Sequence, residues 1–292
     1  MGTGWYVFKK AINQENNKSS PPAPELVFCY SCHYMHHELQ SYLHQAGLNI
    51  SSTDVDPVFA QGLHTSLAAM PENSHQVEAL FTYPVPKLSP GSSCSIHGER
   101  EDKPFDVRTI LNPFTSSFTG DYSLTTSLFR MNLIAALLHA AVQSDWTGIY
   151  GRYGTTNGPA LVKLAYCGRP SRAIFPLTKE FAAHSNNSTV GLTGKAILVK
   201  SVRAHLEEGK PYYECDAAVQ SELCLPIFSN RHPEPSRRTV EASLSDLSNV
   251  IGIIDLESFR ENHFTDERIL KAAFVCAKLS DVLSQLIPQS YN

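Results

Sequence analysis

Residues 214–228 place a thiol close to a carboxyl group. Cys215 lies in a short polar turn, and Glu222 follows seven residues later, just before the apolar run 223–228. A run of this length and composition predicts a buried strand. A thiolate is a nucleophile and a redox centre, and a carboxyl group beside apolar residues can serve as a general acid. This stretch therefore holds a thiol and a carboxyl group on one loop-strand unit.

The composition narrows the class of protein around this stretch. The chain has 292 residues, of which 42% are hydrophobic, so it can bury a core and fold as one large or two ordinary domains. A formal net charge of −4 argues against a nucleic-acid-binding face, which would be basic. We find no apolar run near the ~20 residues of a membrane helix and no secretory hydrophobic segment. We therefore expect a soluble, cytoplasmic protein.

Seven cysteines at irregular spacing do not predict a disulfide framework. Cys29 and Cys32, with Cys94 and His97, have knuckle spacing for zinc. However, 61 residues separate the two pairs, and Cys29 lies in an apolar run. We therefore expect no metal and no other cofactor, with zinc as the alternative.

The first 115 residues have weak patterns. Residues 1–24 read as a polar, proline-containing arm, 26–30 as a short strand and 31–43 as a helix. Residues 49–120 are rich in proline and predict loops, with a short strand at 79–83. We divide the chain into an N-terminal region, 1–115, and a second domain, 116–292. The first is either a small appended domain or a wrapping extension.

Patterns become regular from residue 123. A helix is predicted over 123–144, because its apolar residues recur every three or four positions. Strands are predicted at 146–153, 160–166, 172–175, 222–228 and 250–256, with a polar loop at 179–189, a helix at 190–202 and an exposed loop at 229–248. A final helix follows the N-cap candidate Thr265. Hairpin-joined strands between helices predict an α+β fold, an antiparallel sheet with helices packed on it.

Residues 116–290 carry motifs that resemble those of GAF domains and, more narrowly, of free methionine-(R)-sulfoxide reductases. The motifs are Asp-Trp-Thr-Gly-Ile-Tyr at 145–150, Leu-Val at 161–162, Gly-Arg-Pro at 168–170, Gly-Leu-Thr-Gly at 191–194, Cys-Asp-Ala-Ala at 215–218, Ser-Glu-Leu at 221–223, Ile-Gly-Ile-Ile-Asp-Leu-Glu-Ser at 251–258 and Phe-Thr-Asp-Glu at 264–267. The part specific to the reductases is the Cys-Asp-Ala-Ala motif, whose cysteine lies seven residues before Glu222. The resemblance implies a GAF-like fold for the second domain.

The resemblance also implies a pocket. The aromatic pair would be Trp146 and Tyr150, and the acidic residues would be Glu222, Asp255 and Glu257, where the family more often has Asp at the last position. An ammonium group suits the carboxylates, and a methyl group suits an aromatic face. The implied substrate is free methionine-(R)-sulfoxide, whose sulfur a thiolate attacks. Cys215 is the candidate for either the attacking or the resolving thiol, and reductase activity would be lost if the family position held here by Thr193 is the attacking one. Glu222, Asp255 and Glu257 are the candidate proton donors.

Two of the family's three redox cysteines are replaced here. Their positions hold Thr193 and Arg172, so Cys215 would need another resolving thiol or an external thioredoxin-like reductant. Cys224 is a candidate resolver, because it lies two residues after Glu222 on the predicted strand and should share its face. Cys167 is the second candidate.

Two functions follow from this sequence. The first is a free methionine-(R)-sulfoxide reductase using Cys215. The alternative is a GAF small-molecule sensor that kept the pocket and lost turnover. A homodimer, formed through the terminal helices or the N-terminal region, is a further expectation.

Overall fold

The computed structural model describes residues 25–71, 79–88, 99–111, 124–213, 216–229 and 249–286, with side chains from residue 36 onward except at 285. Several predicted features lie outside the described residues. They are the arm 1–24, Cys94, His97, Cys215 and nearly all of the loop 229–248, together with the side chains of Cys29 and Cys32.

Eight helices and eight strands lie wholly within the described part of the chain. In chain order they are α1 (Glu25–Ala46), α2 (Pro57–Ala68), β1 (Thr82–Tyr83), β2 (Phe105–Asp106), α3 (Arg108–Leu111), α4 (Leu124–Val142), β3 (Trp146–Thr155), β4 (Gly158–Cys167), β5 (Ile174–Pro176), α5 (Lys179–Ala182), α6 (Asn186–Thr193), β6 (Ile197–Val199), α7 (Val202–Glu207), β7 (Ser221–Phe228), β8 (Val250–Ser258) and α8 (Asp266–Leu286).

Six of the strands form one antiparallel sheet in the order β5-β4-β3-β8-β7-β6. Strands β3 and β8 are the central pair. In the neighbouring pair β7–β8, Glu222 lies opposite Glu257 and Cys224 lies opposite Asp255. Every residue of β7 is buried, and all of β8 except Glu257. Burial on both faces explains why these strands read as apolar runs rather than as alternating patterns.

The two faces of the sheet have different partners. Helices α4 and α8 cover one face and form the main core with inward residues such as Ile149, Leu225 and Ile254. Helix α6 packs on the opposite face beside a smaller aromatic cluster that includes Trp146 and Tyr150. The predicted fold class, an antiparallel α+β sheet with helices packed on it, is confirmed.

The longest elements of the second domain agree with prediction. Helix α4, strands β3, β4, β7 and β8, and helix α8 all occur within a few residues of their predicted bounds. Their sequence patterns are clear because each of these elements buries either a continuous apolar stripe or both of its faces.

Two predictions in the region 179–202 are wrong. The expected loop at 179–189 contains α5 and the start of α6, and the expected helix 190–202 ends at Thr193. Gly194 closes α6 with φ 66°, a left-handed conformation that favours glycine and ends helices. The next apolar residues form β6 instead, because they pair with β7.

The N-terminal predictions also need correction. Residues 26–30 are helical rather than extended, since α1 begins at Glu25. Residues 79–81 are helical, so only Thr82–Tyr83 of the expected strand is extended. Helix α2, which begins with the N-cap Asp56 and Pro57, lies within the segment expected to be loop.

The described N-terminal residues share the core of the second domain. Leu39 and Leu43 of α1, together with Leu63 of α2, are buried in the same apolar cluster as α4 and α8. The Tyr42 hydroxyl donates to the Pro226 carbonyl oxygen of β7 at 2.8 Å. These contacts join the described N-terminal residues to the sheet and helices of the second domain.

Helix α4 has the length and hydropathy to cross a membrane. Its apolar composition is explained by its place in the core, because 67% of the apolar window is buried inside the protein. It is the central core helix, packed against α8 and β4.

Candidate functional site

A cleft opens on the face of the sheet that α6 covers. It is narrow, because the space open to the centre of a water-sized sphere is about 10 Å³. It is lined by Trp146, Tyr150, Ser171, Phe175, Ser185, Asn186, Asn187, Tyr213, Glu222, Asp255 and Glu257. All five of the aromatic and acidic residues singled out from the sequence lie on this one surface.

The acidic side of the cleft comes from the adjacent strands β7 and β8. Glu222 is 5% exposed and Asp255 is 3% exposed, whereas Glu257 is half-buried. Alternation along each strand directs Glu222 and Cys224 to one face of the sheet, and the antiparallel register sets Asp255 and Glu257 opposite them. Three carboxyl groups are thereby gathered at neighbouring positions of the sheet.

Burial changes the protonation of two of these groups. Burial raises the pKa of Glu222, although hydrogen bonds from Tyr212 and Asn186 oppose the rise. Burial raises the pKa of Asp255 well above its usual range, and the nearby negative charge of Glu222 raises it further. Because neighbouring carboxylates resist a second ionisation, this pair can hold one proton while carrying one charge.

The aromatic side of the cleft depends on a glycine. The rings of Trp146 and Tyr150 have centroids 6.3 Å apart, and Tyr150 also meets Phe175 edge-on at 5.5 Å. The indole lies directly over Gly148, where a Cβ atom would come within 2.1 Å of Trp146 Cη2. A side chain at 148 would therefore displace the indole.

Two asparagines at the start of α6 hold the carboxyl groups. Asn186 Nδ2 donates to Glu222 Oε2 at 3.0 Å, and Asn187 Nδ2 donates to Asp255 Oδ2 at 3.0 Å. The N-cap Ser185, whose Oγ accepts from the Ser188 backbone N–H, starts this helix. Sequence analysis missed all three residues. The available signal was the serine N-cap, which predicts a helix start at 185.

The loop 168–172 forms another wall. Trp146 Nε1 donates to the Arg169 carbonyl oxygen at 3.0 Å, and the Tyr150 hydroxyl donates to that of Arg172 at 3.4 Å. Arg169 pairs with Asp216 at 2.8 Å, and Arg172 donates to the Tyr213 hydroxyl at 2.9 Å. This loop thus contacts the residues on both sides of 214–215.

The two positions that hold cysteine in the resembling family differ in their surroundings. The Arg172 guanidinium lies 4.8 Å from the centre of the Phe181 ring and 5.7 Å from that of Tyr213, at the edge of the cleft. Thr193 is exposed, and its hydroxyl donates to the Thr189 carbonyl oxygen at 2.7 Å. It does not line the cleft.

None of the thiols whose side chains are described lines the cleft. Cys224 faces the cleft side of the sheet but is fully buried, and its Sγ donates to Asn187 Oδ1 at 3.2 Å. Burial raises the pKa of Cys224 well above its usual range, of Cys167 to about 11 and of Cys276 to about 12. Cys167 packs toward the main core, away from the cleft. These three thiols are poor nucleophiles near neutral pH.

The described residues contain no candidate metal site. Within the described residues, His, Cys, Asp and Glu form no group of three or more that could hold an ion. The expected zinc alternative involves residues whose side chains lie outside that part of the chain.

Comparisons with known proteins return structures but no sequence families. No family model matches the chain, and no curated protein matches it. Among solved structures, the chain is similar to a type II free methionine-R-sulfoxide reductase from Thermoplasma acidophilum. The identity is 17%, the match covers 56% of this chain and 96% of that one, and the TM-score is 0.43.

Two further structures illustrate the range of matches. A free methionine-R-sulfoxide reductase from Neisseria meningitidis, solved in complex with its substrate, is 19% identical over 55% of this chain and 80% of that one, with TM-score 0.40. A GAF domain from an Acinetobacter phosphoenolpyruvate-protein phosphotransferase is 15% identical over 61% and 89%, with TM-score 0.39. The antiparallel sheet with helices on both faces agrees with the α+β arrangement that the sequence predicts.

Proposed function

We propose that the cleft binds free methionine-(R)-sulfoxide and that Cys215 reduces it. The observation that carries the proposal is the pair of buried carboxyl groups, Glu222 and Asp255, beside the aromatic pair Trp146 and Tyr150. One carboxylate holds the ammonium group of the amino acid, and the rings accept its methyl group. The carboxylate of the ligand faces the N-terminal turn of α6, whose dipole favours negative charge.

The carboxyl that remains protonated supplies the proton that reduction requires. The Cys215 thiolate attacks the sulfoxide sulfur, and the oxygen moves to the cysteine as that carboxyl donates a proton. The methionine sulfur gains two electrons and the cysteine sulfur loses two, which gives methionine and a cysteine sulfenic acid. A thiol then condenses with the sulfenic acid, releasing water and forming a disulfide. A second external thiol, thioredoxin-like or dithiothreitol, restores Cys215.

A second candidate function is binding without turnover. It is favoured by the positions of the described thiols, because Cys167, Cys224 and Cys276 are buried or directed away from the cleft. Thr193 and Arg172 provide no thiol at the other two family positions. In this case the ligand would act as a signal rather than as a substrate.

One assay separates the two candidates. The full-length protein is incubated with free L-methionine-(R)-sulfoxide and dithiothreitol, and methionine is measured over time. The reductase proposal expects methionine from the wild type and from the control Cys167→Ser, but none from Cys215→Ser. The (S)-sulfoxide serves as the substrate control.

The outcomes assign the function directly. Absence of methionine, combined with a rise in melting temperature on adding the sulfoxide, supports the sensor. Absence of both effects overturns both candidates. A Glu222→Gln variant should bind the sulfoxide about 10- to 100-fold more weakly in calorimetry, because a charged hydrogen-bond partner contributes about 1.5–3 kcal/mol.

A further inference from the structure

Asn187 connects a buried thiol to a carboxyl group of the cleft. It is the second residue of α6, it is 6% exposed, and the two polar atoms of its amide have different partners. Oδ1 accepts from Cys224 Sγ at 3.2 Å, and Nδ2 donates to Asp255 Oδ2 at 3.0 Å. A thiol that donates needs the amide oxygen, and a carboxylate needs the amide N–H, so the two partners fix which way the amide points.

The two oxygens of Asp255 are thereby distinguished. Oδ2 accepts from Asn187, whereas Oδ1 is buried and has no hydrogen-bond partner among the described residues. A buried polar atom without a partner is costly in a folded protein. Because Asp255 lines the cleft, Oδ1 is the atom that a bound ligand or a proton can satisfy.

We propose that Cys224 and Asn187 are positioning residues, in which the thiol orients the amide and the amide holds Asp255 with Oδ1 available to the ligand. Their effect on turnover rests on the proposed reductase function, but the arrangement itself belongs to the protein without ligand. Cys224 acts here as a hydrogen-bond donor. This role differs from that of a resolving thiol, which must leave the amide to form a disulfide.

The charged and titratable groups around Asp255 set the direction of the expected effects. Glu222 and Cys224 face it from β7, Glu257 lies two residues along β8, and Tyr212 interacts with the same carboxyl groups from the preceding loop. Burial and Glu222 raise the pKa of Asp255, and hydrogen bonds from the Asn187 side chain and the Leu256 backbone N–H lower it. If the amide is no longer held in place, the pKa of Asp255 should rise further.

The first test reads the Cys224 thiol directly. The S–H stretching band in the infrared spectrum of the full-length protein is assigned to Cys224 by its loss in Cys224→Ser. Asn187→Leu should shift this band to higher frequency, because a free S–H bond is stiffer than one that donates. The matched control is Asn186→Leu, which removes the neighbouring amide that holds Glu222 instead. A band that does not move in Asn187→Leu overturns the proposal.

The second test reads Asp255. The carboxyl groups of aspartate are labelled with carbon-13 and titrated by NMR, with Asp255→Asn to assign the resonance. Cys224→Val, which removes the donor and retains the volume, should raise the pKa of Asp255 by about one unit, the scale of one hydrogen bond to a charged group. Cys224→Ser, whose hydroxyl can still donate, should restore a value near that of the wild type. Equal pKa values in wild type and Cys224→Val contradict the proposal.

Turnover separates the two roles of Cys224. With a thioredoxin system as reductant, Cys224→Ser should retain at least half of the wild-type rate if the residue only positions Asn187. Loss of thioredoxin-linked turnover in Cys224→Ser, with dithiothreitol-linked turnover intact, identifies Cys224 as a resolver and overturns the proposal. The spectroscopic tests use no ligand, so they decide the proposal even where no methionine is formed.

Discussion

Asp255 links the chemistry of the cleft to the pH dependence of stability. Its pKa in the folded protein is raised by burial and by Glu222, whereas the unfolded value is about 3.9. The folded state therefore binds this proton more tightly than the unfolded state. The stabilisation is fully present below the unfolded pKa and is lost as pH rises through the folded pKa.

We expect Asp255→Asn to remove this dependence. The unfolding free energy of the wild type should fall relative to that of the variant between about pH 4 and neutral pH, by about 1.4 kcal/mol for each unit of pKa shift. Urea denaturation of both proteins across this range measures the difference. Glu222 remains in both proteins, but its protonation is linked to that of Asp255, so the difference reports on the coupled pair. Parallel curves for the two proteins would contradict the expectation.

Gly148 provides a second test at the level of single residues. In Gly148→Ala the new Cβ would collide with the Trp146 indole, which must leave its place over the strand. Displacement of this kind costs about 1–3 kcal/mol, so affinity for the sulfoxide should fall by about 5- to 150-fold. The protein has two tryptophans, and a Trp5→Phe background leaves Trp146 as the fluorescent reporter.

The control for this variant lies next to it in the strand. Ile149 enters the main core on the other face of the sheet, so Ile149→Val should leave the emission maximum of Trp146 unchanged. The expectation for Gly148→Ala is a shifted maximum together with weaker binding. An unshifted maximum with normal binding would show that the indole does not depend on the glycine.

Individual residues of the cleft were predictable to different degrees. Glu222, Asp255 and Trp146 stand next to apolar strands whose patterns are strong, and they resemble a known motif. Asn186 and Asn187 lie in a polar run without apolar periodicity, so the one local sign of a helix there is the N-cap serine at 185. Their role arises from packing of α6 on the sheet, which the local sequence does not encode.

Helix α6 positions the carboxyl groups of the cleft, because its first turn carries both of the asparagines that hold them. Ser185→Ala removes the N-cap hydroxyl and should destabilise the protein by about 1 kcal/mol. The same change should weaken sulfoxide binding, because the helix start orients the side chains that hold Glu222 and Asp255. Urea denaturation and calorimetry measure the two effects.

Helix α5 supplies the matched control for the N-cap. Thr178 caps it in the same way, accepting from the Phe181 backbone N–H at 3.2 Å. Thr178→Ala should cost similar stability without the loss of affinity. The helix that Thr178 caps carries neither of the two asparagines that hold the carboxyl groups. Equal losses of affinity in both variants would refute a specific role for α6.

Elements were predictable where burial is continuous along them. Strands β7 and β8 are buried on both faces and helix α8 has a long apolar stripe, so each has a clear pattern. Strand β6 has three residues and exists through its pairing with β7, so its local sequence is compatible with the helix that we predict there. Short elements of this kind depend on tertiary partners, which a local pattern does not show.

At the scale of the whole molecule, the N-terminal segment completes the core. Helix α2 packs against α4, and Glu38 of α1 pairs with Lys278 of α8. The prediction of loops over 49–120 missed α2, although Asp56 and Pro57 provide a helix start signal. The sequence left open whether this region is a separate domain, because local patterns do not show which surfaces meet.

Unfolding experiments can decide whether this segment unfolds with the second domain. Leu63 of α2 and Leu138 of α4 are both 0% exposed within one apolar cluster. We expect Leu63→Ala and Leu138→Ala each to lower the unfolding free energy by about 2–5 kcal/mol, in a single cooperative transition. Val58→Ala, on α2 but 80% exposed, should change the unfolding free energy by less than about 0.5 kcal/mol.

If the segment folded independently, Leu63→Ala would shift only one of two unfolding transitions and leave sulfoxide binding intact. A shared core instead requires that Leu63→Ala also reduce binding at the temperature where the protein begins to unfold.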